Sequence, residues 1–306
     1  MMYILLIIGF FLLIKGADYF VEGSSAIAKL LKVPSVVIGL TVVALGTSAP
    51  EAAVSITAGL AGSNDLALSN VIGSNIFNLV LIVGICALIQ PFIIDQSILN
   101  RDFPLAILSS VILLYFIRDN RLSRPEGLIL LTLMIGYLSL TVVSAIRHTI
   151  DIDVQEHYLP MHTSLLYIVL GLAAIIFGGD LVVDNACRIA AAFGLSETLI
   201  GLTIVAIGTS LPELVTSITA SRKGESGLAL GNVVGSNLFN ILFILGLSST
   251  VHPIAAQETA MMDILILIIM TTVIYIFCRI RGTMGRFMGA LCVAAYAAYS
   301  VYIILR

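Results

Sequence analysis

The chain has 306 residues and a net charge of −3, with 59% hydrophobic and only 11% charged residues. A soluble domain runs near half apolar and a quarter charged, so this surplus fits a lipid-facing surface; disorder, collagen-like repeats and a water-soluble enzyme are excluded as leading readings. The charge balance gives no reason to expect nucleic acid as a partner.

A bilayer core about 30 Å thick takes about 20 apolar residues per helix. Apolar runs fall at 2–21, 35–60, 66–90, 102–117, 125–146, 163–187, 197–221, 226–250, 259–278 and 284–305. The expected fold is therefore all-α: a polytopic membrane protein of ten transmembrane helices joined by short loops. The first run lacks a leading basic stretch and a small-x-small cleavage site before Lys15, so it reads as a retained helix rather than a signal peptide. The four cysteines, Cys86, Cys187, Cys278 and Cys292, show no metal-ligand or redox spacing and read as buried thiols. With the N-terminus outside, nine Lys and Arg fall in cytoplasmic loops and five in outer segments. That bias predicts extracytoplasmic N- and C-termini in the cell (inner) membrane.

The chain is written twice. Ile38 to Ala58 reads IGLTVVALGTSAPEAAVSITA and Ile200 to Ala220 reads IGLTIVAIGTSLPELVTSITA, with 15 of 21 positions identical. Asn70 to Pro91 and Asn232 to Pro253 match at 10 of 22 positions, at the same offset of 162 residues. Three segments follow: a first five-helix repeat at 1–146 with its motif at 38–91, a short cytoplasmic linker at 147–162, and a second repeat at 163–306 with its motif at 200–253. Five spans per repeat, an odd number, would place the second half upside down in the membrane. This is the inverted-repeat architecture of secondary transporters, whose site lies near the midplane where the repeats meet.

Two polar segments stay nearly identical while the surrounding helices diverge. In the first, Ala44-Leu45-Gly46-Thr47-Ser48-Ala49-Pro50-Glu51, Pro50 has no N–H to donate and its ring kinks the helix. Backbone carbonyls near Ala44 to Thr47 are thereby expected to face a cavity, where irregular backbone at membrane depth is tolerated. Thr47, Ser48 and Glu51 share a helix face by their spacing. Ala206, Thr209, Ser210, Pro212 and Glu213 repeat the pattern. In the second segment Ser74 and Asn78 lie four apart, as do Ser236 and Asn240. Every ligand in this set is an oxygen, which suits hard cations such as Ca²⁺ and Na⁺ rather than soft transition metals. A carboxylate at the bilayer centre costs about 2.5–3.5 kcal/mol, which marks Glu51 and Glu213 as ion-binding residues. The serines are equally open to close packing, the reading favoured for the Gly227, Gly231, Gly235 row. Asn75 and Asn237 fall off the shared faces and read as helix–helix hydrogen-bond donors.

At these residues the chain resembles the cation/Ca²⁺ antiporter superfamily, specifically the prokaryotic sodium/calcium exchangers. Their paired motifs read like GTSxPE followed by GSNxxN, as Gly46 to Glu51 with Gly73 to Asn78 do here, and Gly208 to Glu213 with Gly235 to Asn240. The resemblance implies that Thr47, Ser48, Glu51, Ser74 and Asn78, with Thr209, Ser210, Glu213, Ser236 and Asn240, line four adjacent cation sites. The carbonyls of Ala44 and Ala206 would contribute, and Glu51 and Glu213 would bridge a central Ca²⁺. It further implies exchange of three Na⁺ for one Ca²⁺ by alternating access, with the first and sixth helices sliding as a gate. Some relatives carry Asp where this chain has Asn240; with Asn at both 78 and 240 the site is formally −2, so the expected cycle is electrogenic and K⁺-independent.

The expected partners are Na⁺ and Ca²⁺ as substrates and the lipid bilayer, with no cofactor and a monomer sufficing. Proton-coupled Ca²⁺ exchange through the same glutamates is the alternative; hydroxyl and carbonyl ligands beyond two carboxylates favour Na⁺, since a proton needs no cage. A passive channel is disfavoured by the broken, repeated helices. No HExxH, GxSxG or nucleophile–base pair suggests an enzyme. The acidic run Asp151, Asp153, Glu156 reads as a solvated linker. Lys15 and Asp18 are spaced to pair, and Asp18/Asp180 with Glu22/Asp184 read as charges at the mouths of the helices.

Overall fold

The computed structural model describes residues 1–60, 64–147, 159–194, 204 and 206–305. In chain order these form α1 (Met2–Leu30), α2 (Ser35–Thr47), α3 (Ala49–Gly59), α4 (Ala67–Ile89), β1 (Phe92–Ile93), α5 (Ile98–Asp119), β2 (Arg121–Leu122) and α6 (Arg124–Arg147). After the linker come α7 (Met161–Ala192), a short turn at Ala206–Gly208, α8 (Leu211–Arg222), α9 (Ser226–Val251), β3 (Ile254–Ala255), α10 (Thr259–Arg281), β4 (Thr283–Met284) and α11 (Arg286–Leu305). The protein is a multi-pass helical membrane protein.

Among the described residues eight helices are long and apolar enough to span a bilayer, and α2 with α3 makes a ninth broken span, bent by 49°. The tenth expected run, 197–221, begins outside the described residues, as do 200–203 and 205 of its motif. The acidic run Asp151, Asp153, Glu156 and most of the linker also lie outside them.

Burial orders the helices. The most apolar stretch of α9 is 94% buried and that of α4 72%, against 22–44% for those of the six other uninterrupted spans. The two motif-bearing helices are thus the centre of the bundle. They are pinned to each other by a reciprocal pair of bonds. Asn75 Nδ2 donates to the Asn237 carbonyl at 3.1 Å, and Asn237 Nδ2 donates to the Asn75 carbonyl at 3.0 Å. The helix–helix role expected of both residues is what they perform.

α1 runs to 29 residues, ending at Leu30, nine beyond the expected end at residue 21. At 1.5 Å per residue that is about 44 Å, longer than the hydrocarbon core, so a helix of this length must tilt or emerge. Its glycines Gly9, Gly16 and Gly23 recur every seven residues and face α7. A Cβ at Gly9 would stand 2.9 Å from the Gly178 carbonyl, one at Gly16 2.8 Å from the Gly171 carbonyl, and one at Gly23 2.6 Å from the Ser164 carbonyl. Only small residues allow backbones so close. Since higher numbers on α1 meet lower numbers on α7, the two helices run antiparallel. The Gly227, Gly231, Gly235 row packs as expected: a Cβ at Gly231 would meet the Val36 carbonyl at 2.6 Å.

The loops add something the helical pattern did not announce. β1 pairs antiparallel with β4, Phe92 opposite Met284 and Ile93 opposite Thr283. β2 pairs with β3, Arg121 opposite Ala255 and Leu122 opposite Ile254. Each ladder is extended by one bond, Ile94 N–H to the Gly282 carbonyl at 3.1 Å and Ala256 N–H to the Asn120 carbonyl at 2.9 Å. Asn120 and Gly282 both sit in the left-handed region, φ 57° and 67°, which Asn and Gly tolerate best. All of these positions correspond at the 162-residue offset, which therefore runs on well past residue 91.

Along the second half of α1 a charged clasp ties it to the loop between α8 and α9. Lys223 Nζ donates to the Asp18 carbonyl at 2.8 Å and lies 3.8 Å from Asp18 Oδ1 and 3.6 Å from Glu22 Oε2. Ser25 donates to Glu225 beside it. Lys15 also pairs with Asp18, at 3.7 Å, as its spacing suggests.

Candidate functional site

The helix breaks where the prolines place it. Ser48 leaves helical geometry at φ −82°, ψ 8°, between α2 and α3, and Ser210 does so at φ −93°, ψ 7°, just ahead of α8. Pro50 and Pro212 follow two residues later, in the first turn, where a missing N–H is harmless. A second local irregularity sits on the central helices. The backbone widens into π-helical turns at Phe77–Ile82 and Asn240–Leu245, a distortion that often marks functional positions.

These features deliver the candidate side chains to one buried cluster. Glu51, Glu213, Thr47, Ser48, Asn78, Ser210, Ser236 and Asn240 are wholly buried, and Ser74 is 3% exposed. Each glutamate is held by a serine of the other half. Ser48 Oγ donates to Glu213 Oε1 at 2.7 Å, and Ser210 Oγ lies 3.0 Å from Glu51 Oε1. Ser210 Oγ also lies 3.1 Å from Ser74 Oγ, and Ser236 Oγ lies 3.4 Å from Glu213 Oε1. The two segments of both halves therefore converge.

Partners run out at the middle of the cluster. Glu51 Oε2, Glu213 Oε2, Asn240 Oδ1 and both amide atoms of Asn78 are buried without a hydrogen-bond partner among the described residues. An unpaired buried carboxylate oxygen is costly, and buried charges are normally paired or bound to a cation. Four of these five atoms are oxygens, and all five come from four of the residues expected to bind ions.

The two backbone donors differ. The Ala44 carbonyl keeps partners, the Ser48 N–H at 3.0 Å and the Thr47 hydroxyl at 3.4 Å. In the second half the Ser210 N–H turns to the Ile207 carbonyl at 3.1 Å instead of to Ala206. Of the two peripheral threonines, Thr47 donates to Asn232 Oδ1 at 3.0 Å and half-buried Thr209 lies 3.4 Å from Asn70 Oδ1.

Those last contacts expose residues the motif reading passed over. Asn232 Nδ2 donates to Ser217 Oγ at 2.9 Å, and Asn70 Nδ2 donates to Ser55 Oγ at 3.1 Å. Asn70/Asn232 and Ser55/Ser217 are identical pairs at the 162-residue offset. The serines lie four residues after the glutamates and the asparagines four before Ser74 and Ser236, so the same-face rule that selected the others would have found them. They form an outer polar ring that fixes the threonines.

Access differs between the two sides. A cavity of about 140 Å³ is lined by Asn70, Gly73, Ser74, Ile207 and Tyr296, among others. It lies between α4, the turn at Ala206–Gly208 and α11, and reaches the cluster at Ser74. Across the cluster, Asn232 and Ser236 are fully buried.

Comparison with known proteins gives a consistent picture. The family model described as sodium/calcium exchanger protein matches residues 1–143 and 163–305. The sodium/calcium exchanger MaX1 of Methanosarcina acetivorans is 33% identical, over 98% of this chain and 97% of that protein. The inner membrane protein YrbG of Escherichia coli is 38% identical, over 96% and 94%. Among solved structures, the sodium-calcium exchanger NCX_Mj soaked with zero Na⁺ and Ca²⁺ superposes with a TM-score of 0.88 at 33% identity, covering 100% of this chain and 99% of that one.

Proposed function

The chain belongs to the sodium/calcium exchanger family, transporters rather than enzymes, and from that premise we propose that it exchanges Na⁺ for Ca²⁺ at the buried cluster, in a 3:1 electrogenic and K⁺-independent cycle. The observation that carries the site is the unpaired pair of carboxylate oxygens on Glu51 and Glu213 beside the unpaired amide of Asn78.

The chemistry follows from charge and ligand type. Two carboxylates give −2, so one Ca²⁺ leaves the site neutral and three Na⁺ leave it at +1. Returning the Na⁺-loaded form moves net charge across the membrane, which makes the cycle sensitive to membrane potential. Hydroxyls from Thr47, Ser48, Ser74, Thr209, Ser210 and Ser236 supply the neutral oxygens that several Na⁺ ions need. The Ala44 and Ala206 carbonyls join them, Ala44 by sharing an oxygen now bonded within its own helix. Glu51 and Glu213, each steered by a serine of the other half, bridge the central Ca²⁺.

In this reading the chain is two inverted five-helix repeats, 1–146 and 163–306, joined by the linker 147–162, with both termini extracytoplasmic. Support comes from the reciprocal contacts at the 162-residue offset: serine to glutamate, asparagine to asparagine, and strand to strand. The antiparallel α1 and α7 are the sliding gate, their glycines giving a contact without interlocking side chains.

The test is ⁴⁵Ca²⁺ uptake into Na⁺-loaded proteoliposomes diluted into Na⁺-free medium, beside Glu213→Gln. Uptake that needs the outward Na⁺ gradient and disappears in the variant is the expected result. Uptake driven by a pH gradient and indifferent to Na⁺ would replace sodium by the proton as coupling ion. A rate unaffected by a K⁺/valinomycin potential would overturn the electrogenic cycle.

A further inference from the structure

The hairpin that joins α10 to α11 carries charge in an unusual way. Arg279 and Arg281 end α10 and Arg286 begins α11. All three are exposed. From residue 264 to the end of the chain there is no Asp or Glu. Arg279 donates to Asn100 Oδ1 at 2.7 Å, while Arg281 and Arg286 find no carboxylate among the described residues.

Directly along the same two helices runs an apolar groove of about 320 Å³. Its walls include Ile269, Val273 and Phe277 of α10 and Leu291 and Ala295 of α11, with Val80 of α4 at its floor. The wall on α10 from Ile269 to Phe277 spans eight helical steps, about 12 Å at 1.5 Å per residue, which fits within one leaflet of about 15 Å. It stops one turn short of Arg281. Exposed Phe287 and Ile280, each 77% accessible, flank the arginines at the level where chain and headgroup meet.

The corresponding corner of the first half makes the contrast. There Arg118, Arg121 and Arg124 are accompanied by Asp119 and Glu126. Arg118 is stacked 4.2 Å over the Tyr115 ring, and Arg124 donates to the Val251 carbonyl at 3.3 Å. That corner is charge-mixed and engaged, whereas the α10–α11 corner offers two arginines with no paired carboxylate among the described residues, at the mouth of a bilayer-facing slot.

We propose that the α10–α11 hairpin is a binding site for an anionic phospholipid, its phosphate held by Arg281 and Arg286 and one acyl chain lying in the groove between α10 and α11. Charge complementarity selects the headgroup, and position within the bilayer selects an acyl chain over a water-borne anion. The inference does not depend on which ions the protein carries.

Native mass spectrometry of the full chain released from vesicles of phosphatidylcholine with a minority of phosphatidylglycerol tests it directly. The expected result is retention of one phosphatidylglycerol in preference to phosphatidylcholine. R281Q/R286Q should weaken that retention on the order of tenfold, since each basic residue near an anionic surface contributes appreciably. Ala295→Phe, which fills the groove and leaves the charges, should weaken it as well, and a lipid titration followed by tryptic protection of the hairpin should report the same loss. Soluble glycerol phosphate should not compete; competition would reassign the site to a free phosphate and overturn the acyl-chain half of the proposal. Equal retention of both lipids by the wild type, or equal phosphatidylglycerol retention by wild type and both variants, would overturn it entirely. Thermal melts of the variants in detergent separate a lost site from a lost fold.

Discussion

The two halves of the cluster are built from nearly the same residues but stand in different surroundings. Asn232 is wholly buried and accepts from Thr47 at 3.0 Å, whereas Asn70 and Thr209 are half-buried and 3.4 Å apart. Asn240 Nδ2 donates to Asn75 Oδ1 at 3.0 Å. The matching bond from Asn78 to Asn237 is not made, and Asn78 Nδ2 and Asn237 Oδ1 are both left without a partner among the described residues. The cavity reaches the cluster on the looser side. The residues involved are identical pairs, so the difference does not come from them. It lies in how tightly each half is packed around them. In the proposed cycle the two sides trade places.

The largest expected effect tests the equivalence. Glu51→Gln and Glu213→Gln should each reduce Na⁺-dependent ⁴⁵Ca²⁺ uptake by roughly 100-fold or more, since each removes one of the two negative charges proposed to hold the ion. A large difference between the two would break the comparison, because it would tie a role to one half. Gly16→Ala comes next. Its Cβ would stand 2.8 Å from the Gly171 carbonyl, an overpacking of about 1–3 kcal/mol. Turnover should fall while equilibrium Ca²⁺ binding persists; a parallel loss of binding would place the contact in the site rather than in the gate. Asn232→Ala should lower stability by about 1–3 kcal/mol, because it removes the buried bonds to the Thr47 and Ser217 hydroxyls, and Asn70→Ala should cost less on the half-exposed side. Chemical denaturation in detergent can rank the two. In the same state a cysteine at Thr209→Cys should react with a soluble maleimide faster than one at Thr47→Cys, and Na⁺ or Ca²⁺ that shifts the state should narrow the gap. Lys223→Ala should change stability least, by about 0–1 kcal/mol, because its partners Asp18 and Glu22 are half-exposed. A larger change in uptake than in stability would mean that the clasp biases which side is shut.

Much of this arrangement was legible in the sequence, for reasons that can be stated residue by residue. Long apolar runs mark spans because the bilayer demands them. Pro50 and Pro212 mark the breaks because they remove a donor. Glu51 and Glu213 stand out because a carboxylate at that depth needs a purpose. The structure brings the twelve candidate residues to one region, apart from the Ala206 side chain, which lies outside the described ones. Other features carry no such signal. Two-residue strands are too short for any periodicity, and their partners lie in the other half of the chain. The π-helical turns at Asn78 and Asn240 need no special residue type. The glycines of α1 recur every seven residues, but without α7 in view they read as ordinary small residues of a membrane helix. Ser55 and Asn70 were passed over because they fall outside the short GTSxPE and GSNxxN segments, although they share their faces. The helix-like Ala44 carbonyl shows that a proline four residues past Gly46 loosens one turn without stripping every carbonyl in it.

The exchanged strands have a consequence for how the protein is made. β1 needs β4, and β3 needs β2, so neither half can seal its own loops alone. During synthesis the edge at Phe92–Ile93 must wait for residues 283–284, nearly two hundred positions later, to leave the ribosome and enter the membrane. Until then the nascent first half exposes an unmated backbone edge at the lipid–water boundary. A chain truncated before β4 would thus leave Phe92–Ile93 without the strand it pairs with in the finished protein.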